Sequence, residues 1–269
     1  MVRKHPKRRT NPGKTHRRRS AGNPHAPNWI YGTHAVMAAL ANPARVCERV
    51  LVATNEEAER AAMAVEMGGH ANVIERVSRA DVSAVVPEGA VHQNIALLTR
   101  PLPDMSLEDA IDRALHTPEK CILVLDQVTD PQNVGAIIRT AAAFGAVAVV
   151  MQDRHAPPIT GALAKAASGG LEMVALLRET NLARAIEGLR ARNFLCIGLS
   201  GAVNTPLAQA RVQGPTALVL GAEGNGIRRL VAESCDTLAR IPQTNKIGSL
   251  NVSSAAAVAL YEITQIAIK

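Results

Sequence analysis

Residues 121–125, C-I-L-V-L, are apolar at every position. Such a run suits a strand covered on both faces, the condition of a parallel sheet crossed over by helices. The pattern around it alternates. Helical spacing over 133–144 leads to a strand at 146–151, a helix at 160–168 and a strand at 172–177. A helix at 181–192, strands at 194–199 and 216–220, and a helix at 227–233 follow. A long helix runs from Asn251 to about Ile268, with Val252, Ala255, Ala256, Ala259, Ile263 and Ile266 at helical spacing. Ala257, Val258 and Leu260 widen its apolar surface, so burial on more than one side is expected. The whole reads as α/β.

A smaller α/β unit is expected upstream, over 28–101. It would hold a helix capped by Thr33, a strand at 46–53, and a helix at 56–67 ended by Gly68 and Gly69. A strand at 72–75, a helix at 79–85 and a strand at 94–98 complete it. Residues 102–119 read as a linker that includes a short amphipathic helix started by Ser106, with Asp109 three positions on. The larger unit then spans 120–269.

The charge is unevenly placed. Nine of the 30 Lys and Arg residues lie in residues 1–19, which hold no acid, leaving 21 bases against 23 acids elsewhere. A basic block rich in Pro and Gly, without apolar periodicity, cannot bury enough surface to fold alone. Residues 1–27 are expected to be a disordered basic arm that gathers RNA phosphates. The arm carries no aromatic residue to stack on bases. Cys47, Cys121, Cys196 and Cys235 have no paired spacing, so no metal site and no disulfide framework is indicated. No apolar run is long enough for a membrane span. A cytoplasmic protein with buried thiols is expected.

Three motifs carry the chemistry. The first, D-P-Q-N-V-G-A-I-I-R, spans Asp130 to Arg139 and places Asn133 just ahead of a helix. The second, L-G-A-E-G-N-G-I, spans Leu220 to Ile227 between a strand and a helix, with glycines that let the backbone turn tightly against a ligand. It lacks the G-x-G-x-x-G spacing of a dinucleotide fold, which argues against a Rossmann-type methyltransferase. The third, I-P-Q-T-N-K-I-G-S-L-N-V-S, spans Ile241 to Ser253. There Ser249 and Asn251 are both suited to cap the last helix, and Ile241 and Leu250 to sandwich a purine.

Taken together and in this order, the motifs resemble the SpoU-type (TrmH family) RNA ribose 2'-O-methyltransferases of the SPOUT superfamily. The resemblance extends upstream through W-I-Y-G-T-H-A-V and P-E-G-A-V-H-Q-N-I-A to about Trp29. Those pieces are similar to the branch that methylates a guanosine of 23S rRNA in the peptidyl-transferase P-loop. Asn94 stands where relatives usually have Gly.

The resemblance implies a C-terminal trefoil-knot methyltransferase domain behind a small RNA-binding domain similar to a large-subunit ribosomal protein. It also implies S-adenosyl-L-methionine as cofactor, no metal, 23S rRNA as partner, and a homodimer. Arg139 is implied as the catalytic residue, with Asn133, Glu223, Ser249 and Asn251 around it. Leu220, Gly221, Gly226, Ile241 and Leu250 are implied to line the cofactor pocket. A ribose hydroxyl is a poor nucleophile, so its proton must leave or its oxyanion must be stabilised. Family descriptions make the arginine a base, but a guanidinium keeps its proton. A cation that steadies the oxyanion or clamps the neighbouring phosphate is the better expectation. Three alternatives stay open: a SpoU-type enzyme for tRNA or another rRNA site, a non-catalytic RNA-binding ribosome-assembly factor, and a generic nucleic-acid-binding protein driven by the basic tail.

Overall fold

The structure is a computed structural model and describes residues 28–71, 73–118, 120–154, 156–210, 213–244 and 249–264. The basic tail, Asn72, residues 245–248 of the third motif and Ile266 lie outside the described residues.

Four strands form the first sheet: β1 (Asn28–Tyr31), β2 (Cys47–Val52), β3 (Ile74–Arg76) and β4 (Ile95–Thr99), in the order β1-β4-β2-β3. β4 is antiparallel to β1 and β2, and β2 is parallel to β3. Strand alternation sends Val50, Val52, Ile95 and Leu97 toward α1 (Thr33–Ala41) and α2 (Asn55–Gly68). Leu51 and Ala96 face the other way, toward Val82 of α3 (Arg79–Ala84). α2 ends where Gly69 turns left-handed at φ 67°. Thr33 is not the cap it was expected to be. Gly32 takes that position, Thr33 opens the helix, and its N–H donates to Gln93 Oε1 at 3.2 Å, so a side chain from the far end of the unit supplies the acceptor. Asn94 adopts a left-handed φ of 62°. Asparagine tolerates that region better than most residues, which explains how it occupies a glycine-like position.

The second sheet holds six parallel strands: β5 (Cys121–Asp126), β6 (Ala148–Gln152), β7 (Ala175–Glu179), β8 (Leu195–Leu199), β9 (Thr216–Gly221) and β10 (Thr237–Ala239). Their order is β10-β8-β9-β5-β6-β7. Both faces are covered, which accounts for the unbroken apolar runs. Leu123, Leu125, Val149, Met151, Leu218 and Leu220 point into one core. That face carries α5 (Pro131–Ala143), α6 (Gly161–Ala167) and α10 (Val252–Thr264). Ile122, Val124, Val150 and Val219 point into the other core, against α4 (Leu107–Leu115), α7 (Leu182–Ala191) and α9 (Arg229–Ser234).

Several boundaries moved for identifiable reasons. Gly170–Glu172 form a 3-10 turn, so β7 starts three residues later than its apolar residues suggested. The short α8 (Leu207–Ala210) and β10 were not anticipated, being too brief for a periodic signal. α4 lies within the expected linker, yet Leu107, Ala110, Ile111 and Ala114 are buried beneath the second sheet. Ser106 caps it as expected, accepting from the Asp109 N–H at 3.1 Å.

The two units share one core, since residues of α1, α2 and β4 cluster with those of α5 and α6. α6 lies close on β1: a Cβ at Gly161 would meet the Tyr31 ring at 2.5 Å and the Trp29 carbonyl at 2.6 Å. A buried ion pair ties the units again. Arg45 meets Glu172 through Nε at 3.2 Å and Nη2 at 2.5 Å, and Asn42 Nδ2 donates to the same carboxylate at 2.7 Å.

Candidate active site

The order of strands reverses beside β5: β6 and β7 extend one way, β9, β8 and β10 the other. In open parallel sheets a crevice forms outside the carboxyl ends of the strands at such a point. All three motifs arrive there. The first follows β5, the second follows β9, and the third follows β10.

Asp130, not Asn133, caps α5. It accepts from Gln132 N at 3.1 Å and Asn133 N at 3.4 Å, and Pro131 takes the first helical position, where a missing N–H costs nothing. Asn133 therefore lies within the first turn, one turn deeper than its sequence context suggested. Its Nδ2 donates to Glu223 Oε1 at 3.1 Å, and its Oδ1 accepts from Asn251 Nδ2 at 2.9 Å. Asn251 Nδ2 also donates to Glu223 Oε1 at 2.6 Å, and the Val252 N–H reaches the same oxygen at 3.2 Å. The three motifs thus meet in one triangle, Asn133, Glu223 and Asn251. α5 and α10 pack side by side and both begin at this point, so the positive ends of two helix dipoles face one acidic side chain. Asn251 also caps α10, as expected, accepting from Ser253 N at 2.9 Å and Ser254 N at 3.3 Å.

The glycines of the second motif serve a fold-back. Gly221 ends β9 beneath Gly226, whose carbonyl carbon would lie 2.0 Å from any Cβ there. Gly226 N donates to the Ala222 carbonyl at 2.9 Å, and Gly224 and Gly226 both take positive φ. Among the described residues, chain neighbours apart, no atom stands within 4 Å of where a Cβ on either would project, so the loop presents bare backbone. Leu220 is buried in the core with Leu125 and Leu218, so only its backbone is available to a ligand. Ile241 is half-buried, while Leu250 and Ser249 are exposed just ahead of α10. Arg240 beside Ile241 donates its N–H to the Thr205 carbonyl and accepts from the Leu207 N–H, both at 2.9 Å, and among the described residues its buried Nε has no partner. Bare backbone, apolar Ile241 and Leu250, and this orphaned donor suit a nucleoside carrying a carboxylate tail.

Arg139 does not join the triangle. Six residues on from Asn133, it lies roughly 9 Å further along α5 and about a third of a turn around it. It is exposed, and among the described residues it has no carboxylate partner.

One structural pair escaped the sequence reading. Asp126, at the end of β5, is fully buried. It accepts from Arg228 N and Arg228 Nε, both at 2.8 Å. The pair pins the far end of the second motif to the central strand. The only signal was an acid ending an apolar run and an arginine straight after G-N-G-I.

Burial disfavours the thiolate at three of the four cysteines. Burial pushes Cys196 and Cys235 up to about 12, with the Asp236 charge adding to it, and burial raises Cys47 to about 11. Among the described residues none of the four cysteines is in a disulfide. Among the described residues no group of His, Cys, Asp and Glu could hold a metal ion, and no helix is long and apolar enough to cross a membrane.

This arrangement defines an α/β methyltransferase of the SPOUT type, and the chain belongs to the SpoU rRNA Methylase family, which matches residues 120–261. Residues 29–105 match the RNA 2'-O ribose methyltransferase substrate binding family. The chain is 36% identical over 234 residues to the 23S rRNA (guanosine-2'-O-)-methyltransferase RlmB of Vibrio cholerae, covering 87% of this chain and 94% of that one. It is 38% identical over 237 residues to its counterpart from Pseudomonas syringae pv. tomato, covering 87% and 93%. Among solved structures, the SpoU methyltransferase AviRb from Streptomyces viridochromogenes in complex with AdoMet shares the fold at a TM-score of 0.73 and 19% identity, over 91% of each chain. The AdoMet-bound rRNA methyltransferase from Sinorhizobium meliloti does so at 0.73 and 23%, over 89% of this chain and 87% of that one. The expected trefoil knot is consistent with the chain path. From β10 at one edge, the chain pairs Arg240 with Pro206 and returns to mid-sheet, where α10 packs against α5.

Proposed function

We propose that this chain transfers a methyl group from S-adenosyl-L-methionine to the ribose 2'-hydroxyl of a guanosine in 23S rRNA, in the peptidyl-transferase P-loop. The observation that carries the reading is the meeting of all three motifs in the Asn133–Glu223–Asn251 triangle. Similarity to guanosine-2'-O-methyltransferases over both units supports the substrate. The cofactor, when bound, supplies an electrophilic methyl carbon. Gly221, Gly226, Ile241 and Leu250 would hold it, with Leu220 contributing backbone alone.

The chain's own residues then have to align the hydroxyl and manage its charge. Glu223, held by three donors, braces the loop and fixes the two asparagine amides. Ser249 and Asn251 orient the ribose. Arg139, exposed and with no carboxylate partner among the described residues, meets the substrate's phosphate and the developing oxyanion as a cation. Residues 28–101 gather the RNA, residues 102–119 join the units, residues 120–269 catalyse, and the basic arm of residues 1–27 adds affinity through counterion release. The working form is a cytoplasmic homodimer. Val258 and Tyr261, exposed on α10 although apolar, supply a face for it. Light scattering at micromolar concentration should return twice the chain mass.

The test is incubation with methyl-labelled S-adenosyl-L-methionine and unmodified 23S rRNA, 16S rRNA and tRNA transcripts, followed by nuclease mapping. Label on a 2'-O-methylguanosine of the P-loop is expected. Label on tRNA or at another rRNA site would keep the chemistry and overturn the substrate. Cofactor binding without transfer to any naked RNA would overturn free 23S rRNA as substrate. No cofactor binding at all would revive a non-catalytic assembly factor.

A further inference from the structure

A cavity of about 640 Å³ opens in the first unit, away from the triangle, between α3 and the loop leading into β4. Its size lies within the range of small-ligand sites. Its wall is built with care. His92 is buried, and its Nδ1 accepts from the Asn94 N–H at 3.2 Å. Its Nε2 therefore carries the proton and donates to Ser83 Oγ at 3.0 Å, while Ser83 Oγ donates onward to the Arg79 carbonyl at 3.0 Å. Burial, with the Arg79 and Lys165 charges nearby, holds His92 below its ordinary pKa, so the ring is a neutral strut. Gln93 and Asn94 are both left-handed, at φ 55° and 62°. Consecutive non-glycine residues in that region are strained, and such strain clusters at ligand clamps.

The strut supports a cavity lined by one cation, Arg79, one acid, Glu88, and an apolar wall, with a second cation, Lys165, at its rim. Arg79 lines the cavity, is exposed, and has no carboxylate partner among the described residues. Lys165 comes from α6 of the catalytic unit and donates to the Val91 carbonyl on the rim. Val86, Pro87 and Val91 supply apolar wall, with Val91 largely exposed. Glu88, also on the wall, offers an acceptor for the amino groups of a base edge.

We propose that this cavity is a subsite for one unpaired nucleotide of the RNA substrate, its phosphate on Arg79 and its base against Val86, Pro87 and Val91. The inference rests on the RNA-methyltransferase reading. Single-stranded RNA is bound with splayed bases on flat platforms and its backbone on cations, and here the apolar wall takes the place of the aromatic rings usual in such sites. Lys165 makes the subsite continuous with the catalytic unit, so an RNA held here extends toward α6 and α5.

The experiment measures 23S rRNA transcript affinity against KCl, and steady-state methyl transfer, for the full chain and three variants. Arg79→Gln removes the phosphate contact, and Val91→Asp puts a carboxylate on the rim. Arg192→Gln makes the same charge change far away, at the Asp112 ion pair. Arg79→Gln is expected to lower the slope of log K against log salt by about 0.7 and to raise KM for RNA while kcat holds. Val91→Asp should weaken binding in the same sense, and Arg192→Gln should leave the slope alone. Arg79→Gln and Val91→Asp binding as the parent does, or Arg192→Gln shifting the slope as far as Arg79→Gln, would overturn the subsite while leaving the enzyme reading intact. A parent chain that methylates no RNA would instead defeat the reading beneath it.

Discussion

Arg139 and Asn251 come from the same set of motifs but do different physical work. Arg139 is exposed and has no carboxylate partner among the described residues, so it contributes little to folding. Arg139→Ala should leave Tm within about a degree of the parent, because surface changes of this kind stay within about 0.5 kcal/mol. It should lower kcat by about 10²–10³ if the guanidinium steadies developing charge. Retained activity in Arg139→Lys would assign the effect to charge rather than to fork geometry. Asn251 caps α10 and bonds both Asn133 and Glu223. Asn251→Ala should therefore cost both stability, about 1–2 kcal/mol by denaturant titration, and activity. The residue types at these positions were readable in the chain. Their partition was not, because helical phase puts Arg139 and Asn133 on different sides of α5 and no spacing rule says which side faces the cleft.

At the scale of elements, the unbroken apolar strands announced a parallel sheet, and β5, β6 and β9 sit where those runs lie. Brief elements escaped. β10 has three residues and α8 four, below the length at which a period can be recognised. The starts of helices were misjudged where the acceptor came from elsewhere, as at Thr33, or where a neighbour capped first, as Asp130 does ahead of Asn133. The Asp126–Arg228 pair shows how one element holds another. Arg228→Ala leaves a carboxylate in a fully buried place and should cost about 3 kcal/mol, the low end for a broken buried pair because Arg228 is partly solvated. It should also raise KM for the cofactor, since the loop from Gly221 to Gly226 loses its far anchor. Unchanged stability would mean that Asp126 finds another partner.

Across the whole molecule, the units are not beads on a string. A common core and the Arg45–Glu172 pair, with each side chain only 7% exposed, join them. Glu172→Gln should weaken that join by about 3 kcal/mol. The expected outcome is a lower-temperature first transition in calorimetry and a larger radius of gyration in solution scattering, with the cofactor site intact. A single unshifted transition would show that apolar packing of α6 on β1 suffices alone. Docking of this kind sets where an RNA held by the first unit meets the second.

The chain alone settled its class, because apolar period and glycine placement are local properties that burial on a pleated sheet or a helix face imposes residue by residue. It also carried the three motifs, since a turn, a cap and a bare-backbone loop each need particular side chains in consecutive positions. The meeting of Asn133, Glu223 and Asn251, the isolation of Arg139 and the Arg45–Glu172 clasp belong to the tertiary structure. They join positions from 28 to 127 residues apart, and a contact across that distance exists only after the strands have chosen their order in the sheet.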